Sequence, residues 1–107
     1  MQTWDIASLD VQPHQPEVLR SDEETRVIAI NLPAGDQLNE HQVHERAWVV
    51  VAAGEAEFEQ GGESVRGGPG LLVHFDPNER HEVRALEDTR LILLLSPWPG
   101  DGHPRRR

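Results

Sequence analysis

Histidine and carboxylate crowd residues 40–48, EHQVHERAW, where Glu40, His41, His44 and Glu45 stand just ahead of the apolar run Trp48–Val51. Imidazoles and carboxylates in such a group can ligate a divalent cation, line a polar pocket or decorate a solvated hairpin edge. Downstream, His74 lies inside LLVHF and His81 follows the turn DPNE. The chain has no cysteine, which excludes disulfides, thiolate ligands and a cysteine nucleophile. Any metal must therefore be held by imidazole and carboxylate.

The elements that carry these residues read as strands. TRVIAINL (25–32), DQLNEHQV (36–43), AWVVVA (47–52), EAEFE (55–59), LLVHF (71–75), HEVRAL (81–86) and TRLILLLS (89–96) are β-branched or alternating, and SVR adds a short one. Turn signals PAG, AG, QGGE, GGPG and DPNE separate them. No segment sustains a helical period; only PEVLRSDEE (16–24) has room for a helical turn. Eight or so strands at this spacing predict a single all-β domain, a small barrel or sandwich.

Strand alternation sharpens the histidine question. In a regular strand His41 and Val43 face one way while Gln42 and His44 face the other. His44 joins His41 only if a bulge near Val43–Glu45 resets the alternation. His74 reads as an ordinary hydrogen-bonded histidine, and Trp48, at the head of an apolar strand, as core. Arg84 and Arg90 read as partners of nearby acids.

Length and charge bound the rest. With 107 residues there is room for one core. Nineteen acids face ten bases, all Arg. Three of these form the terminal Arg105–Arg107, leaving a net charge near −12 on the rest. Such a body repels phosphate backbones, so no nucleic-acid partner is expected. No stretch approaches the ~18 apolar residues of a membrane span, and MQTWDIASLD lacks a signal-peptide layout, so the expected location is the cytoplasm. Residues 1–24 are expected to pack on the barrel or a partner, 25–98 to form it, and 99–107 to be a flexible tail.

Two spacings resemble a known family. Gly35, five residues, His41 and then Gly54 resemble the first motif of the cupin superfamily, G-x5-H-x-H-x3–4-E-x6-G. Gly70, five residues, then Asp76, Pro77, Asn78, two residues and His81 resemble its second, G-x5-P-x-G-x2-H. The likeness covers roughly residues 25–96. It implies a small cupin-type barrel, a double-stranded β-helix or jelly roll, whose inner histidines often hold one divalent metal. The departures are specific. Val43 stands at the second histidine, Ala47 at the glutamate and Asn78 at the second motif's glycine, while Pro77 comes one place late. Asn tolerates the left-handed turn that glycine would supply. His41 and His81 alone carry over as ligands; His44, Glu40, Glu45 or His74 would have to complete a site.

Two function classes follow. In one, His41 and His81 hold Fe, Mn, Ni or Zn for oxygenase- or isomerase-type chemistry on a small molecule. In the other, the barrel binds or senses a small ligand without metal or chemistry. A fold kept for assembly alone is a third reading. The last strand, with Leu91, Leu93 and Leu95 on one face and Ile92 and Leu94 on the other, is apolar on both sides and predicts a homodimer, unless residues 4–9 cover the outer face.

Overall fold

The structure is a computed structural model that describes residues 1–104, the side chains of Glu40 and His41 excepted. The expectation for Arg105–Arg107 lies outside the described residues. Nine strands run in chain order: β1 (Glu17–Ser21), β2 (Arg26–Leu32), β3 (Gln37–His41), β4 (Arg46–Ala53), β5 (Ala56–Gln60), β6 (Glu63–Gly67), β7 (Leu72–Phe75), β8 (His81–Ala85) and β9 (Thr89–Ser96). They form a five-stranded sheet, β1-β2-β9-β4-β7, facing a four-stranded one, β3-β8-β5-β6. β2 pairs with β9, β3 with β8, β4 with β7 and β5 with β6, all antiparallel. The chain is thus doubled back about the Gly61-Gly62 turn and rolled up, the double-sheet wiring of a jelly roll.

Alternation fills the space between the sheets. Ala47, Val49 and Val51 of β4 are buried, as are Ala56 and Phe58 of β5, Val83 and Ala85 of β8, and Leu91 and Leu95 of β9. These residues form one cluster with Leu32 and Phe75. Glu57 and Arg84, opposite each other on β5 and β8, face outward and pair at 3.0 Å.

Three expectations are corrected. Residues 17–21 form an edge strand rather than a helical turn. A helix there would need apolar residues three or four apart, and Val18 and Leu19 are adjacent; β2 instead offers an open edge. Trp48 is not core but 41% exposed, because Ala47 and Val49 on either side occupy the interior. The segment 36–43 stops pairing at His41, and the slip in register falls between Leu38 and His41.

No helix among the described residues is long and apolar enough to cross a membrane. Residues before β1 lie along the outer face of β2 and β9. Val11 is buried there, its carbonyl accepts from Asn31 Nδ2 at 2.8 Å, and the Leu9 carbonyl accepts from Arg90.

Candidate functional site

β8 turns His81 into the barrel, where the residue is 4% exposed. Its Nδ1 lies 3.1 Å from the Glu79 carbonyl, a contact that favours the tautomer protonated at Nδ1. One face of the imidazole is covered by the Phe75 ring, parallel to within 7° at 3.8 Å between centroids. Glu79 is itself fixed: its carboxylate accepts from the Asp76 amide and from Gln60 Nε2. Asn78 takes a φ of 66°, the left-handed turn expected of it, and its amide donates to the Val43 carbonyl at 2.7 Å.

Across from β8, Leu38 stands opposite Val83 and His41 opposite His81. β3 therefore carries one residue more than its partner between those pairs, a bulge that brings the backbones of the two motif histidines into register. The side chains of His41 and Glu40 lie outside the described residues. Val43 packs against the core and Ala47 is buried within it.

His44 and Glu45 serve another contact. Glu45, 1% exposed, accepts the Gly100 amide on Oε2 at 2.7 Å. The His44 ring lies edge-on to His103 at 5.9 Å, and His103 meets Trp98 at 4.6 Å. Arg26 stacks over the Trp98 ring at 4.0 Å, and Trp98 packs against the core. Residues 98–103 thus cover the end of the barrel nearest β4's start. The composition of PWPGDGHP reads as a loose tail; the signal for this contact is Trp98 among the prolines, an apolar ring that needs cover. His74 faces outward against Trp48, ring centroids 4.4 Å apart. Its Nε2 is buried without a hydrogen-bond partner, contrary to the expectation of a satisfied ring.

The metal set is incomplete among the described residues; the side chains of Glu40 and His41 lie outside them. Among the described residues no three His, Asp or Glu groups stand together as ligands. Two positions that could donate, 43 and 47, hold Val and Ala in the core, and Glu45 is committed to Gly100. The described residues add no third donor to His41 and His81, and two imidazoles are fewer than the three protein ligands of an ordinary catalytic site.

Two hollows flank this region. A small one beside His81, bounded by Ile30, Leu38, Val49 and Leu93, offers about 20 Å³ to water-sized occupants, room for about one molecule. A roomier cleft, about 200 Å³, opens between the free edges of β6 and β7 over Phe58, Gln60, Glu63, Val65, Val73 and Phe75. Phe75 connects the two: it floors the cleft and stacks on His81, which borders the smaller hollow.

The chain matches the cupin domain family over residues 28–97. Its fold resembles a RmlC-like cupin from Desulfovibrio desulfuricans, at 21% identity, TM-score 0.80, and coverage of 91% of this chain and 97% of that one. KdgF from Halomonas sp. is similar at 27% identity, TM-score 0.72, with 83% and 85% covered. The cupin domain of Schizosaccharomyces pombe Cnp3, at 13% identity and TM-score 0.79, covers 88% and 68%. No curated protein is similar enough in sequence to match. Motif spacing, rolled-up strand order and family match agree, and the chain belongs to the cupin family.

Proposed function

We propose that this cupin binds a small molecule without a resident metal, in the cleft between β6 and β7. The observation that carries the reading is the cleft itself: an apolar floor of Phe58, Val65, Val73 and Phe75 with Gln60 and Glu63 at its edge. A concave apolar surface with few polar groups is what small-ligand sites share. Val65 is largely exposed, so Val65→Trp can fill the cleft without disturbing the core. A fragment screen by ligand-observed NMR should give hits that this variant loses. Hits that bind both proteins equally would place the site elsewhere and end the proposal.

Metal content separates this reading from the enzyme class that would use His41 and His81. After incubation with Fe, Mn, Ni or Zn and gel filtration, elemental analysis should find far less than one ion per chain. A full equivalent, abolished by His41→Ala or His81→Ala, would restore the metal reading.

The protein is also proposed to act as a homodimer through the outer face of β4, β7 and β9. Trp48 lies opposite Leu94, and Val50 opposite Ile92 and Leu72; Trp48 and Leu72 are exposed. The N-terminal segment anchors on this outer face at Asn31 and Arg90, near the start of β9, and Trp48 and Leu72 stay exposed. A contiguous apolar patch of this kind marks an interface. Light scattering should give about twice the 12.1 kDa chain mass, falling to one chain in Trp48→Glu. A wild-type mass of one chain at micromolar concentration would refute the dimer.

A further inference from the structure

Resting on that reading of the cleft, we infer that its ligand is an organic cation: a protonated amine on a compact aromatic or aliphatic body. The charge of the lining selects the class. Among the described residues, Glu59 and Glu63 border the cleft, and no Arg does. The nearest guanidinium by sequence, on Arg66, sits beside Val65 and by alternation faces the outer surface. There it meets Glu55 at 2.5 Å, and this hydrogen bond and charge hold the Arg66 pKa above its ordinary value. His74 borders the cleft from β7, but its ring is turned against Trp48.

Strand alternation settles which acid faces the ligand. Phe58 is opposite Val65 and Gln60 opposite Glu63, so all four share the inner face on which Phe58 is buried. Glu59 and Ser64 take the other face and meet the cleft at its edge. Among the described residues, neither Glu59 nor Glu63 has an ion-pair partner. Gln60 gives an amide hydrogen to Glu79, so the group it can still direct at a ligand as acceptor is its carbonyl oxygen. The inner wall is therefore acceptor-rich, with a carboxylate at the rim and aromatic faces below. A carboxylate or phosphate ligand would meet repulsion there; an ammonium group finds its counter-charge while its hydrocarbon body covers Phe58, Val73 and Phe75.

Three probes of nearly one size and shape test this by titration against the full chain: phenethylamine, 2-phenylethanol and phenylacetate. The amine should bind roughly two- to fivefold more tightly than the alcohol, as expected for one partly exposed charge pair. Phenylacetate should bind most weakly. Glu63→Gln should bring the amine down to the affinity of the alcohol, and added salt should weaken the amine alone. If amine and alcohol bind equally and Val65→Trp removes both, the cleft stands as the site and the cation inference fails. Tightest binding of phenylacetate defeats the inference in the same way. Amine binding that survives Val65→Trp belongs to the acidic surface and overturns both, as does the absence of binding by all three.

Discussion

Phe75→Ala is expected to lower the unfolding free energy by about 3–5 kcal/mol, the usual cost of truncating a buried phenylalanine. Phe75 is 2% exposed and sits at the end of edge strand β7, opposite Ala47. Alanine on both sides of that pairing leaves nothing to fill the space, and the stacked contact with His81 is lost as well. Guanidinium denaturation should show the fall as a lower midpoint. The same change removes the wall between the cleft and His81, so the folded fraction should accept bulkier fragments than the wild type. Phe75→Leu, which keeps most of the volume, should cost clearly less. A loss under about 1 kcal/mol for Phe75→Ala, well below the usual cost of such a truncation, would mean that the ring is not packed as described.

Gly54→Ala should be at least as damaging. Gly54 has a φ of +85°, a region costing an L-residue about 1–2 kcal/mol. Worse, an added Cβ would lie 2.2 Å from the Asp88 carbonyl oxygen and 2.8 Å from Thr89 Cα. Both atoms are backbone and cannot swing aside. Thr89 is fully buried, and its hydroxyl is within hydrogen-bond distance of the Glu55 and Glu87 carbonyls, at 2.9 and 2.8 Å. The β4–β5 turn is thereby locked to the β8–β9 turn. The combined effect should exceed about 4 kcal/mol, a rare size for one substitution. Against the 5–15 kcal/mol of an ordinary domain, little folded protein should remain at 37 °C by circular dichroism. Gly35→Ala is the contrast: its φ is also positive, but no atom lies within 4 Å of the added Cβ, so only the backbone cost should be measured.

Much of the fold was written locally. The inward and outward sets of β4, β5, β8 and β9 follow from alternation, and the motif spacing identified the turn at Asn78 before its φ was known. Alternation does not say which set faces in. At β4 the large Trp48 suggested the core, yet the interior takes Ala47, Val49 and Val51. The position of the bulge was also hidden, because an extra residue leaves no mark on polarity: Asn39 and Glu40 suit a regular strand as well as an irregular one. The contact of Glu45 with Gly100 spans 55 residues and has no local signature on either side. The cleft was not legible for a related reason. It arises where two strand edges fail to meet, and a sequence records which residues form strands, not which edges stay apart.

The mirror pairing about Gly61-Gly62 also sets an order of events during synthesis. The hairpin of β5 and β6 can form as soon as it emerges from the ribosome, since its partners are neighbours in the chain. The strand at the middle of the larger sheet, β9, is made last, and both β2 and β4 must wait for it. Until residue 96 has left the exit tunnel, those two strands carry apolar faces and unpaired edges, the features that invite aggregation in a growing chain. Closing loops this long is slow. A nascent chain stalled before β9 is therefore expected to be prone to aggregation, and the rate at which that strand is delivered governs how long the exposure lasts.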